Sequence, residues 1–257
     1  MTVDNKTAIV TGGLSGMGLA IARRLARDGT TVVVGARSAG DASHVRKILG
    51  ADQVGIYAAA LDVRSSESVD AFVGNVAETY GGVDILVNAA GVYEEAAITD
   101  HSDQVWDDQI DTNLNGSFRT IRATFPHMKH AGWGRIVNIA SVAAHNGMAN
   151  NAAYCASKAG LLGLGRCVSL EGAAHGVTCV SISPTWVETE MLRRFIDADM
   201  AANNQTLEEV RSEYAKSNPQ NQLVQPTEVA ELAAFLVSDA ARALTMEDFQ
   251  VNAGSLW

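Results

Sequence analysis

The chain is short of proline, of cysteine and of basic residues, and each shortage narrows what it can be. Four prolines in 257 residues leave no material for a proline-rich linker or a long disordered arm. The three cysteines, Cys155, Cys167 and Cys179, are spaced twelve residues apart. That pattern is neither C-x-x-C nor an even set, so it suggests no zinc site and no disulfide framework, and it predicts small buried residues in a reducing compartment. Only 19 Lys and Arg face 29 Asp and Glu, a formal charge of −10, which argues against nucleic acid and anionic lipid as partners. A long apolar run is missing too. The one stretch of membrane-spanning length without an acidic or basic residue covers 136–157, and it contains four Asn and His145, which a bilayer core does not tolerate. The opening MTVDNKTAIV has no basic segment followed by an apolar one, so no secretory signal is expected. These absences together predict a soluble cytoplasmic protein with no metal.

What is present is an alternation of short β-branched runs with helix-length segments. Residues 7–12, 31–36, 56–63, 84–91, 135–141 and 177–184 read as strands apolar on both faces, the mark of a parallel sheet covered on both sides. Between them, 16–28, 41–49, 65–80, 103–130 and 152–175 read as helices, followed by a helix near 227–238 and a last strand around 247–252. The expectation is a single α/β domain over 1–257, a Rossmann-like doubly wound parallel sheet of about seven strands. Segment 185–226 is the least regular, and its length makes it a candidate lid.

The first strand runs directly into TGGLSGMG, with Gly12, Gly16 and Gly18 at the turn and at the start of the next helix. Glycines there let backbone approach a pyrophosphate, whose charge the helix N-terminus meets. Further on, AAYCASKAG sets Tyr154 and Lys158 four residues apart. On a helix that step advances about 400°, so both side chains lie on one face and can touch one ligand.

Five segments in order, TGGLSGMG, NAAG (88–91), NLNG (113–116), Ser141 thirteen residues before YCASK, and SPTWVET (183–189), make the chain resemble the short-chain dehydrogenase/reductase family over essentially its full length. The resemblance implies an NAD(P)-dependent oxidoreductase acting on CH–OH groups, interconverting a secondary alcohol, sugar or polyol and its ketone. Tyr154 is the expected proton-transfer group. Lys158 would lower its pKa and bond the nicotinamide ribose, Ser141 would bond the substrate oxygen, and Asn113 matches the family's water-holding residue. Cofactor contacts are implied at Gly12, Ser15, Gly16, Met17 and Gly18 in the turn. Further contacts are implied at Asp62 and Val63, at Asn88, Ala89, Ala90 and Gly91, and at Pro184, Val187 and Thr189. The chain departs from the family pattern at Ala89, at Thr185 after Pro184, at Met246 and at Asn252-Ala253; none of these removes a reacting group.

Cofactor choice rests on the end of the second strand. Relatives that prefer NAD place an acidic residue where this chain has Ala36, and Arg37 with Ser38 follows, so NADP is favoured with NAD possible. Substrate contacts are expected from Tyr93, His145, Met148, Asn151, Trp186 and Met191 beside Ser141, an apolar wall with a few polar groups. Hydroxybutyrate dehydrogenases of the family carry Gln, His and Lys where this chain has Tyr93, Ala143 and Asn151, which disfavours that acid. Two alternatives stand beside this reading: a 3-oxoacyl reductase, for which the acidic balance offers few carrier-docking cations, and a non-catalytic dinucleotide-binding sensor or scaffold. The family also implies a homotetramer, with small residues at Ala156, Ala159, Gly160, Gly163 and Gly165, the long 103–130 helix and the terminal Trp257 as expected interface material.

Overall fold

A computed structural model describes residues 3–50 and 54–255. Strands apolar on both faces need cover on both, and β1 (Thr7–Thr11) is buried along its whole length. It is joined by β2 (Thr31–Ala36), β3 (Ile56–Ala60), β4 (Ile85–Asn88), β5 (Gly134–Ile139), β6 (Val177–Pro184) and β7 (Asp248–Val251). All pair in parallel, in the order β3-β2-β1-β4-β5-β6-β7. Strand order reverses between β1 and β4, and a crevice opens there beyond the carboxyl ends of the strands.

Alternation along each strand feeds two apolar layers. Val10, Val87 and Val137 face α1 (Gly16–Arg27) and α9 (Pro226–Leu236), where Ile21, Leu25, Val229 and Ala233 pack. Their neighbours Ile9, Leu86 and Ile136 face α3 (Ser66–Tyr80) and α5 (Gly116–Ala131), meeting Phe72, Val76, Ile121 and Met128. Helix α2 (Ala42–Leu49) follows a 3-10 turn at Arg37–Gly40, and α6 (Ala152–Ala173) lies along β6.

Several expectations need correction. The single helix expected over 103–130 is α4 (Asp103–Ile110), a π-turn at Asp111–Asn115 and then α5, so Asn113 sits in the π-turn and not in a regular helix. Segment 185–226 is far from irregular. It forms α7 (Glu190–Asn203) and α8 (Leu207–Lys216), with a small core of Leu192, Ile196, Val210 and Leu223. Of the cysteines only Cys179 is buried; Cys155 is half-buried and Cys167 exposed. On α6, Gly160 faces Leu114 and Gly165 faces Asn138, both inside the same chain, which leaves Ala156, Ala159 and Gly163 facing outward. The expectation for Trp257 lies outside the described residues.

Candidate active site

The glycine turn is built by crowding. Gly12 has φ +65°, and a Cβ there would stand 2.9 Å from the backbone of Ala90; one on Gly18 would stand 2.5 Å from the carbonyl oxygen of Gly12. Only glycine permits these approaches, which bring the start of α1 against the segment after β4. Ser15 is the exposed N-cap of α1, and its side chain makes no capping bond. A Cβ on Gly16 would be 3.3 Å from Thr189, so the turn also abuts the N-terminus of α7. The free N–H groups at the start of α1, on a turn whose glycines carry no side chain, fit a pyrophosphate.

From that turn a groove of about 580 Å³ runs toward β2 and β3, lined by Gly12, Arg37, Ser38, Asp62, Val63, Ala90 and Gly91. Arg64 and Thr112 line it as well and were not anticipated. Arg64 is bonded to Asp62 (3.5 Å) and to Asp108 on α4 (3.0 Å). Partial burial pushes the Asp62 carboxyl up, but bonds from the Arg64 backbone and side chain, with the fields of Arg64 and Arg37, outweigh it and hold its pKa below the usual range. Asn88 and Ala89 lie behind the groove. Asn88 donates to Asn138 Oδ1 (2.9 Å) and accepts from Thr120 Oγ1 (2.7 Å), while the N–H groups of Ala89 and Ala90 donate to Thr11 Oγ1, each at 3.1 Å. Thr11 and Asn138 are thus hidden supports of this wall.

The four expected reacting groups come together where the groove meets a second cavity. Lys158 is buried, donates from Nζ to the carbonyl of Ile139 at 2.7 Å, and lies 5.7 Å from the Tyr154 ring centroid. Burial lowers its pKa to about 8. Ser141 caps the turn after β5, accepting from the Ala143 N–H (3.1 Å), and its hydroxyl is near enough to Tyr154 to favour the phenolate. The Tyr154 pKa is raised, not lowered as expected from Lys158: burial dominates, and the nearby Ser141 hydroxyl pulls it back only in part. Asn113 accepts from the Val92 N–H (2.8 Å) and donates to the Val92 carbonyl (2.9 Å) and to Ser157 Oγ (3.1 Å). It thereby holds Gly91 beside Lys158, where an added Cβ would be 3.8 Å from Nζ.

The second cavity encloses about 110 Å³ in front of Ser141 and Tyr154. Its walls are Met17, Tyr93, Met148, Trp186, Met191 and the segment Pro184–Val187 with Thr189, together with Leu192 and Phe195 of α7, which sequence reasoning missed. Among the described residues no Lys, Arg or His lines it. Tyr93 packs edge-on against Tyr154 (4.7 Å between centroids) and Phe195 (4.8 Å), and Trp186 packs edge-on against Tyr214 of α8 (4.9 Å). Burial, and then a 2.6 Å bond to Glu95, raise the Tyr93 phenol. Two expected substrate residues stand outside this cavity. His145 is turned to Asp248, 2.6 Å away, and Asn151 is buried at the start of α6, donating to the Ala149 carbonyl (2.7 Å).

A parallel sheet with a glycine-turn crevice, a groove leading from it and a Tyr–Lys–Ser group at its end defines a dinucleotide-binding oxidoreductase. Residues 6–200 match the family profile described as short chain dehydrogenase. The chain is 39% identical over 252 residues to a Streptomyces virginiae protein provisionally named as the ketoacyl reductase of the monensin polyketide synthase, covering 97% of each chain. It is 35% identical to a D-beta-hydroxybutyrate dehydrogenase of Cupriavidus necator, covering 93% of each. Among solved structures it is similar to a variant actinorhodin polyketide ketoreductase with NADPH, with 37% identity, a TM-score of 0.91, and coverage of 99% of this chain and 98% of that one. The chain belongs to the short-chain dehydrogenase family and is an NAD(P)-dependent oxidoreductase acting on hydroxyl and keto groups. Among the described residues no helix is long and apolar enough to cross a membrane, and no cluster of side chains could hold a metal ion.

Proposed function

We propose that this chain is an NADP-dependent reductase of ketones carried on an apolar, ring- or chain-bearing molecule. The observation that carries this reading is the cavity in front of Tyr154, apolar and aromatic, with no cation among its lining residues. A free carboxylate beside the ketone would find no charge partner there, and a polyol would leave its hydroxyls facing Met and aromatic side chains. The similarity to two ketoreductases points the same way.

In this reading the nicotinamide cofactor supplies a hydride to the carbonyl carbon. Tyr154, a phenol protonated at neutral pH whose pKa burial raises further, is the general acid that delivers its proton to the carbonyl oxygen, which suits reduction. Ser141 donates to the same oxygen and steadies the charge that develops on it. Lys158 stabilises the phenolate left behind and would bond the ribose of a bound cofactor, and Asn113 secures the loop beside it. Arg37 and Ser38, exposed at the far end of the groove, are proposed to hold the 2′-phosphate that distinguishes NADP. Helix α7 and the segment before it form the lid, since Trp186, Met191, Leu192 and Phe195 reach the cavity from that side, and α8 backs them through Tyr214 against Trp186.

The test is steady-state reduction of tetralone and of acetoacetate with NADPH and with NADH. The expected order is NADPH over NADH and tetralone over acetoacetate in kcat/KM. Preference for acetoacetate would overturn the substrate reading, and preference for NADH the cofactor reading.

A further inference from the structure

The carboxylate of Asp248 joins the two segments that wall the active-site cavity. Asp248 opens β7 at the edge of the sheet, and its side chain is only 13% exposed. Its Oδ2 lies 2.6 Å from Nε2 of His145, and its Oδ1 accepts a 2.8 Å bond from Oγ of Ser183. Ser183 is buried near the end of β6, immediately before Pro184, Thr185 and Trp186 of the cavity wall. His145 closes the 3-10 turn that begins at Ser141. Within that turn the Ser141 carbonyl accepts from the Ala144 N–H (2.9 Å), and the Val142 carbonyl accepts from the His145 N–H (3.0 Å). Val142, Ala143 and Ala144 bring no polar side chain, so side-chain tethering of the turn falls to its two ends.

We infer that Asp248, through His145 and Ser183, is a positioning residue for the reaction: it locks the Ser141 turn to the end of β6 and so fixes the Ser141 hydroxyl between Tyr154 and the substrate oxygen. The inference rests on the reading that Ser141 and Tyr154 carry the chemistry. A hydroxyl that must serve two partners at once tolerates little displacement, and a shift of about 1 Å can cost about 100-fold in rate. A carboxylate taking hydrogen bonds on both oxygens is a strong brace for such a turn. Asp248 lies outside the residues lining the cavity and acts only through its two partners.

The experiment measures kcat, KM and Tm with tetralone and NADPH for Asp248→Ala, His145→Ala, the double variant and Asp248→Asn, with Tyr154→Phe alongside. Each single alanine variant should lower kcat about tenfold with a smaller change in the cofactor KM, and the double variant should be no slower than the slower single one. Asp248→Asn should recover most of the loss, because its amide can still bond both partners. If Asp248→Ala does not fold, the comparison of Asp248→Asn with His145→Ala carries the same test through kcat. Multiplicative losses in the double variant, or lower Tm with unchanged kcat throughout, would overturn the positioning role. Wild-type turnover in Tyr154→Phe would instead overturn the catalytic reading, whatever the Asp248 series does.

Discussion

At Lys158 burial works directly against the charge that the site needs. Its folded-state pKa near 8 is below its ordinary 10.5, so between those values the folded chain binds fewer protons than the unfolded one and stability rises with pH. Below that window the buried ammonium carries its full cost, on the order of 3 kcal/mol. Urea unfolding should therefore show wild type gaining stability relative to Lys158→Met from about pH 8 to about pH 10. Parallel curves for the two proteins would contradict this. Arg37→Ala is expected to weaken NADP binding by roughly 1.5–3 kcal/mol while changing NAD little, read by titration with each cofactor. Equal losses for both would remove Arg37 from the phosphate site. The Tyr154–Lys158 spacing and Ser141 were legible in the sequence because their signal is local. Arg64, Thr11 and Phe195 were not, since each acquires its part only when a distant segment is brought against it. His145 looked like a pocket residue for the same reason: nothing local announced Asp248, more than a hundred positions away.

At the level of elements, the strands could be read from their two-sided apolar runs, and the turn after β1 from its glycines. The break at Asp111–Asn115 could not be read, because the apolar periodicity continues through it, and it is Asn113 reaching across to Val92 that the π-turn accommodates. The helices of 185–226 did leave a mark. Thr206 and Glu209 form a capping box at the start of α8, a pattern visible as T-x-x-E. Two changes test how elements support the site. Gly18→Ala would push a Cβ into the Gly12 carbonyl, and should cost about 1–3 kcal/mol in chemical denaturation and abolish dinucleotide binding. Asn113→Ala would strip the Val92 N–H and carbonyl of their partners, with an expected loss of about 2–4 kcal/mol. Wild-type stability in either variant would contradict the packing described for it.

At the level of the whole molecule, seven parallel strands converge on one crevice, and the strand order places the glycine turn, the Asn113 loop and the Tyr154 helix around it. Trp106 of α4 and Phe118 of α5 stand partly exposed, and with the outward Ala156, Ala159 and Gly163 of α6 they support a proposed helix-face contact between subunits. Light scattering at micromolar concentration should give a homotetramer; a monomer would contradict that assembly. In the proposed reaction a ketone held in this cavity takes hydride from the nicotinamide cofactor and a proton from Tyr154. The most direct measurement follows deuterium from NADPH labelled at its transferable position into the product of tetralone reduction, by mass spectrometry, for wild type and Tyr154→Phe. Wild type should place the label on the carbinol carbon, and the variant should transfer it at least about 100-fold more slowly with cofactor binding retained. Unlabelled product, or equal transfer in both proteins, would contradict this reaction.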